Sequence, residues 1–199
     1  DYDGDKAVAA RLGYDPAQWL HLSASAMRTG NLAVEGDQLS ELWFGNGFFR
    51  ALGSPATTTK FHANLLEGDF RIKLPRGHLQ AAGGYARFDD NDRTADNRRK
   101  LYYYYVEGVH RLSDKLFAAS RFSQILTDRG YPIVGGGGFN ERFLGVSTKD
   151  LWRLSLGLGY RWTEDLVLKL EYTFDRGELV GGRKRNKEDL LALEVGYRF

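Results

Sequence analysis

Apolar and polar residues alternate along the last positions of the chain. The odd positions from 191 to 199 are Leu, Leu, Val, Tyr and Phe, whereas the even positions from 192 to 198 are Ala, Glu, Gly and Arg. A period of two residues turns successive side chains to opposite faces of an extended strand. The segment therefore predicts a β-strand with one apolar face and one small or charged face.

The same alternation occurs twice just upstream, in segments 151–162 and 166–175. In the first segment, Trp152 and Trp162 bracket a row of leucines and one tyrosine at the even positions. Aromatic side chains of this kind concentrate at the two bilayer interfaces, and strands of about 9–11 residues cross the bilayer. The tryptophan bracketing and the strand length favour a transmembrane strand over a strand of a soluble β-sandwich.

Nine segments of the chain alternate in this way, and their connections are alternately short and long. Tight periplasmic turns that alternate with long extracellular loops are typical of outer-membrane barrels. The predicted fold class is therefore all-β, an antiparallel transmembrane β-barrel of meander topology. The predicted strands are 6–14, 18–28, 60–74, 78–88, 100–111, 115–126, 151–162, 166–175 and 188–199. The short turns are 15–17, 75–77, 112–114 and 163–165, and the long loops are 29–59, 89–99, 127–150 and 176–187.

Composition agrees with spans made of strands. The chain has 199 residues, no cysteine and a mean hydropathy of -0.45. No segment approaches the roughly 18 consecutive apolar residues of a spanning helix, so that any span must be a strand. The net charge of +2 is too small to indicate a nucleic-acid partner.

The number of predicted strands is odd, whereas bacterial single-chain barrels have an even number and both termini in the periplasm. The last strand follows a long loop and thus ends in the periplasm, which places the start of the first strand outside. We therefore expect residues 1–199 to be a single β-barrel domain that is incomplete at its N-terminal side, the C-terminal part of a barrel of about 16–18 strands. The alternative is one miscounted strand and a small closed barrel of about eight or ten strands.

The polar faces of the predicted strands carry more basic than acidic residues. Rings of cationic side chains in a pore select anions. The alternative is a mixed, salt-bridged wall that sets pore shape without strong selectivity. The candidate lumen-facing selectivity residues are Arg11, Arg71, Lys73, Arg121, Arg153, Arg161 and Lys169.

Aromatic residues at the strand ends predict an interfacial girdle in contact with outer-membrane lipid. The terminal Phe199 resembles the last residue of bacterial outer-membrane barrels, which implies recognition by the barrel-assembly machinery and location in the bacterial outer membrane. A homo-oligomer is compatible with the sequence. The predicted girdle residues are Trp152, Tyr160, Trp162, Tyr172, Tyr197 and Phe199.

Residues for catalysis or for cofactor binding are not recognisable. The four histidines lack the spacing of a metal site, and 157–162 lacks the third glycine and the helix of a dinucleotide-binding loop. His21 shares a strand face with Ser23 and Ser25, as a hydrolytic pair would, but no orienting acid occurs at a recognisable spacing. We predict that the protein is not an enzyme and uses neither cofactor nor metal.

Two long loops supply an alternative function. Segment 40–52 within the loop 29–59 is rich in aromatic residues, which are unfavourable on a free exposed loop. The segment is therefore expected to fold inward as a constriction, or to pack at the outer rim or against a partner. A barrel that docks another protein through the loops 29–59 and 127–150 is the alternative to a channel.

Two predicted hairpins resemble those of the phosphate-selective porin-like family. They are segments 102–122 and 151–172, the second of which is followed by the strand that ends in Phe199. The resemblance implies an outer-membrane porin through which small polar or anionic solutes diffuse passively.

Overall fold

The computed structural model describes residues 6–30, 32–33, 60–90, 98–131, 148–186 and 188–198. Within these ranges every regular element is a β-strand. None of the described residues belongs to a helix that is long and apolar enough to span a membrane. The strands are β1 (Val8–Ala17), β2 (Leu20–Arg28), β3 (Leu32–Ala33), β4 (Lys60–Leu74), β5 (Gly77–Asp90), β6 (Arg99–Arg111), β7 (Leu116–Tyr131), β8 (Thr148–Arg161), β9 (Leu166–Leu179), β10 (Lys184–Arg185) and β11 (Leu190–Tyr197).

The strands form one antiparallel sheet in which each long strand pairs with its neighbours along the chain. The order is β1-β2-β4-β5-β6-β7-β8-β9, and β11 then pairs with β9. The two-residue strands are additions to this pattern, β3 on β4 and β10 on β9 beyond the part that pairs with β11. The meander topology and the predicted fold class are confirmed.

Each of the nine predicted strands is present, but several bounds were wrong. β7 runs to Tyr131 and β9 to Leu179, five and four residues beyond the alternating segments 115–126 and 166–175. Strand pairing continues there although side chains outside the bilayer need not alternate. The predicted turn 15–17 lies inside β1, whose register shifts between Tyr14 and Ala17, and the turn itself is at 18–19.

Cross-strand register places the predicted apolar residues of all long strands on one face. Directly paired residues project from the same side of a sheet, and the face assignments of the weakly alternating segments 78–88 and 115–126 are confirmed in this way. One continuous row crosses seven strands and consists of Leu22, Phe70, Ala81, Val106, Phe122, Leu154 and Phe174.

Exposure is inverted relative to a soluble protein. Leu158 and Leu193 on the apolar face are 51% and 75% exposed, whereas Thr173 and Asp175 on the opposite face are 3% and 5% exposed. A soluble β-sandwich would bury its apolar face against a second sheet. A continuous apolar face that is exposed and not packed against a second sheet is the arrangement that a lipid-embedded barrel requires.

Two glycines on the polar face provide room for aromatic rings from the neighbouring strand. A Cβ added at Gly159 would lie 2.0 Å from Cζ of Phe117, and one added at Gly84 would lie 2.4 Å from Cζ of Tyr103. Each glycine is the direct cross-strand partner of its aromatic residue. The rings therefore lie flat on bare backbone, which any larger residue at these positions would prevent.

The sheet formed by the described residues has two open edges. β1 pairs only with β2, and β11 pairs only with β9. In β1 every residue from Val8 to Pro16 is exposed. Backbone N–H and C=O groups along these edges have no partner strand within the described ranges.

Replacing Leu156 by arginine is expected to lower the free energy of unfolding by about 2–4 kcal/mol, because Leu156 lies between Trp152 and Trp162 on the lipid-facing side. The matched change Ser155→Arg places the same side chain on the polar face. It should cost about 1 kcal/mol, through loss of the 2.9 Å hydrogen bond between Ser155 Oγ and Thr173 Oγ1. Denaturant titrations in lipid vesicles measure both values, and equal costs would contradict the face assignment.

Candidate functional site

The polar face of the sheet, called the polar wall below, is the candidate functional site. It consists of the side chains that project opposite to the apolar rows. All seven predicted selectivity residues belong to it by register: Arg11, Arg71, Lys73, Arg121, Arg153, Arg161 and Lys169. One row of the wall runs through His21, Arg71, Gln80, Glu107, Arg121, Ser155 and Thr173.

Two of the arginines are held by well-sheltered carboxylates. Arg153 donates from Nε and Nη2 to the two oxygens of Asp175, at 2.7 and 2.6 Å, and the Asp175 side chain is only 7% exposed. Arg11 Nη2 donates to Asp69 Oδ2 at 2.8 Å, and Ser23 Oγ donates to the same oxygen. Paired guanidinium groups are compensated locally, so that these two arginines add little net positive potential to the wall.

Arg121 and Lys169 are also bound, though less tightly. Arg121 Nη1 lies 3.8 Å from Glu107 Oε2, and its guanidinium carbon lies 4.1 Å from the centre of the Tyr105 ring. Lys169 Nζ donates to Glu194 Oε1 at 2.8 Å between two exposed side chains. Contacts of this kind hold long side chains against the wall and leave part of their charge accessible to solvent.

Uncharged side chains also donate hydrogen bonds to carboxylates of the wall. The Tyr103 hydroxyl crosses the bare backbone of Gly84 and donates to Glu67. Gln80 Nε2 donates to Glu107 Oε1 at 2.9 Å. The wall is thus a mixed network of acids, bases and hydroxyl groups, which agrees with the salt-bridged alternative.

Three predicted selectivity residues, Arg71, Lys73 and Arg161, have no carboxylate partner within the described ranges. They lie toward the short-turn end of the sheet, the end at which residues 75–76 and 162–165 connect strands. Arg111, on the same face and at the same end, is also without a carboxylate partner among the described residues. Uncompensated positive charge therefore concentrates at the short-turn end.

The predicted girdle residues that the structure describes, Trp152, Tyr160, Trp162, Tyr172 and Tyr197, project from the apolar face. Trp162 is 61% exposed and stands edge-on to Tyr160, with ring centres 6.1 Å apart, and Tyr197 is 66% exposed. Trp152 stacks on Phe122 near the opposite end. The Tyr172 hydroxyl donates to Asp189 Oδ2 at 3.2 Å.

Several sequence predictions concern residues outside those that the structure describes. Phe199, with its predicted role in assembly, is one of them. Residues 34–59 and 132–147, which hold most of both candidate docking loops and all of segment 40–52, are the others.

An ordered polar cluster after β9 was not recognised in the sequence. Arg185, whose side chain is 7% exposed, donates to Thr148 Oγ1 at 2.6 Å and to both oxygens of Glu188 at 3.0 and 2.6 Å. Nearby, the Arg176 guanidinium binds Asp189 and holds the pKa of that carboxyl below its usual range. No alternation marks this segment, because its contacts depend on the β9–β10 pairing.

The structure supplies an acid for His21 that the sequence did not reveal. Asp15 Oδ1 lies 2.7 Å from His21 Nδ1, at the irregular end of β1. The Ser23 hydroxyl, however, donates to Asp69 and not to His21. The three groups are therefore not connected as a nucleophile, a base and an orienting acid would be. Among the residues described, no group of three or more metal-ligating side chains is gathered in one place.

No protein-family model matches the chain, and no curated protein matches it in sequence. Solved structures do match. The outer membrane channel DcaP of Acinetobacter baumannii has a TM-score of 0.65 over 97% of this chain, at 13% identity. OmpT of Vibrio cholerae, an outer-membrane protein, has a TM-score of 0.59 over 98% of the chain, at 12% identity.

The chain spans 51% of the length of DcaP and 57% of that of OmpT. At such low identity the likeness concerns the fold, and it leaves the resemblance to the phosphate-selective porin-like family unconfirmed. The chain has the fold of outer-membrane β-barrel proteins, which agrees with the predicted location in the bacterial outer membrane.

Proposed function

We propose that this chain forms part of the wall of an outer-membrane channel through which small polar or anionic solutes diffuse passively. The observation that carries this proposal is the polar wall, a charged face that runs across all long strands behind an apolar, outward-facing band. Burying so many ionised groups in a dry core would cost several kcal/mol for each unpaired ion. A water-filled lumen removes this cost.

Closure of the channel requires strands beyond the described sheet. The open edge of β1 would leave backbone groups without hydrogen bonds in hydrocarbon, which lipid-embedded strands do not tolerate. That this chain spans about half of the DcaP and OmpT chains supports a barrel with more strands than the described sheet contains.

A mild preference of the channel for anions is expected because carboxylates neutralise only some of the basic side chains of the wall. Arg153 and Arg11 are neutralised by Asp175 and Asp69, whereas Arg71, Lys73 and Arg161 are not neutralised in the described part of the chain. In physiological salt a free charge acts over a screening length of about 8 Å. The short-turn end of the lumen is thus the region where anions are enriched.

No catalytic step is part of the proposal. The hydroxyl of Ser23 is engaged by Asp69, and the ring of His21 lies beside Gly13, with Cε1 3.4 Å from the position of an added Cβ. A hydrolase would need that hydroxyl on the histidine.

Replacing Arg71, Lys73 and Arg161 together by glutamine is expected to lower the anion-to-cation permeability ratio several-fold. Each free cation contributes at most about 1 kcal/mol to an anion 4 Å away in water. Reversal potentials across planar bilayers, with the protein purified from outer membranes, measure this ratio.

A double change, Arg153→Gln with Asp175→Asn, should leave the ratio nearly unaltered, because one positive and one negative charge disappear together. A ratio that the triple variant does not move, or cation preference of the unaltered protein, would contradict the assignment of selectivity to these residues. Absence of conductance would contradict the channel itself.

Residues 1–199 refolded alone in detergent are expected not to form a closed monomeric barrel, because the β1 edge would remain unpaired. Heat-dependent electrophoretic mobility and light scattering report closure and oligomeric state, and protein purified from outer membranes is the control. A monodisperse, heat-modifiable monomer of residues 1–199 would show that the sheet closes on itself.

A further inference from the structure

Two tyrosines near the middle of β6 belong to the polar wall. Tyr103 and Tyr105 are separated by one residue, so that their side chains lie on the same face of the sheet, about 7 Å apart along the strand. Their direct partners on β5 are Gly84 and Ala82, which have no side chain or a small one. β5 thus leaves room beside both rings, and the two tyrosines are called the tyrosine shelf below.

The Tyr103 ring is held flat against the sheet. A Cβ added at Gly84 would lie within 2.6 Å of Cζ, Oη and Cε1 of Tyr103. The hydroxyl of the same side chain donates to Glu67 Oε2 on β4, which fixes the outer end of the ring. One ring face therefore rests on the backbone of Gly84, and the opposite face is turned away from the sheet. An aromatic face that is already fixed loses little conformational entropy when a ligand stacks on it.

Tyr105 contributes in a different way. The guanidinium carbon of Arg121 lies 4.1 Å from the centre of the Tyr105 ring, so that one face of this ring is covered. The Tyr105 hydroxyl makes no hydrogen bond with another residue that the structure describes, and a phenol group can both donate and accept. Tyr103 therefore supplies the stacking face of the shelf, and Tyr105 supplies a hydroxyl group.

Carboxylates border the shelf on the β4 side. Glu67 and Asp69 lie in the same two rows as the tyrosines, one strand beyond β5. Tyr103 donates to Oε2 of Glu67, whereas Arg11 and Ser23 both donate to Oδ2 of Asp69. The other oxygen of each carboxylate accepts no hydrogen bond from the described part of the chain. Two acceptor oxygens beside the shelf are thus available to a ligand.

Donors border the shelf on the β7 side. Arg121 is 47% exposed, and its nearest carboxylate is that of Glu107, at 3.8 Å. A guanidinium group has several N–H donors, so that part of this donor capacity is unused. A charged ligand would meet a charge of its own sign on one side of the shelf. Hydroxyl groups, in contrast, can donate to the carboxylates and accept from the guanidinium group, which favours a neutral ligand rich in hydroxyl groups.

We propose that the tyrosine shelf is a binding subsite for a neutral sugar, whose ring stacks on Tyr103 and whose hydroxyl groups bind Glu67, Asp69 and Arg121. The C–H groups on one face of a pyranose ring are weakly positive, and they match the negative face of an aromatic ring. The proposal rests on the proposed function, because it names one class among the polar solutes that an aqueous lumen would admit. Passage along a channel requires binding that is weak enough for release.

Binding of methyl β-D-glucopyranoside to the protein purified from outer membranes tests the subsite. Saturation-transfer NMR in deuterated detergent reports both the affinity and the ligand protons that contact the protein. We expect saturable binding with a dissociation constant in the millimolar range, and the strongest transfer to the axial C–H protons of one ring face. Sorbitol, which has hydroxyl groups but no ring, should bind about tenfold more weakly. The corresponding methyl glucuronide, which carries a carboxylate, should also bind more weakly than the glucoside.

Tyr103→Leu removes the aromatic face but keeps an apolar side chain, and it should weaken binding of the glucoside about tenfold. Gly84→Ala displaces the ring from its position on the backbone. It should weaken binding in the same direction, and it serves as the test if Tyr103→Leu does not assemble. Tyr104→Leu is the matched control, because Tyr104 is the next residue of β6, lies on the apolar face and is 40% exposed there. Its replacement should leave the affinity unchanged.

Absence of saturable binding, equal affinity for sorbitol, tighter binding of the glucuronide, or equal weakening by Tyr103→Leu and Tyr104→Leu would overturn the proposal. Conductance measured in parallel separates this proposal from that of the channel. A protein that conducts ions but does not bind the glucoside loses the sugar subsite alone, whereas one that binds the glucoside but does not conduct loses the channel alone.

Discussion

Hydrogen bonding between the backbones of neighbouring strands is the interaction on which the rest of this structure depends. Hydrocarbon offers no partner to a free N–H or C=O group, so that strands in lipid must pair along their whole length. Pairing fixes the register, and the register fixes the two faces. A slip of one residue in β8 would turn Arg153 toward lipid and Leu154 toward the polar wall.

The polar wall is a consequence of that register. Opposite charges lie side by side where strand pairing places them in the same row, as with Arg153 and Asp175. In such a pair each charge is neutralised by its cross-strand partner. Where pairing brings no acid beside a cation, as at Arg71, Lys73 and Arg161, the cation has no carboxylate partner among the described residues, and these three positions lie toward the short-turn end. The seven predicted basic residues, which look equivalent in the sequence, thus differ in whether a carboxylate compensates their charge within the described part of the chain.

The same interaction explains why the hairpins continue beyond the bilayer. β7, β8 and β9 remain paired past the apolar band, and Arg185 on the β10 segment reaches back to the fully buried Thr148. Outside the lipid, ion pairs and hydrogen bonds replace the alternation of side chains as the source of order. These strand ends are accordingly the parts of the fold that the sequence pattern predicted least well.

What the sequence determined by itself is the set of strands and the face on which each residue lies. Alternation is a local property of consecutive residues. The sequence of segment 151–162 therefore predicts its apolar and polar faces without reference to any other strand. The tertiary structure alone decided which residues of distant segments stand opposite one another. It paired Asp175 with Arg153, brought Asp15 within 2.7 Å of His21, and left Arg161 without a carboxylate partner among the described residues. A period of two carries no information on register, and register is what brings side chains of different strands into contact.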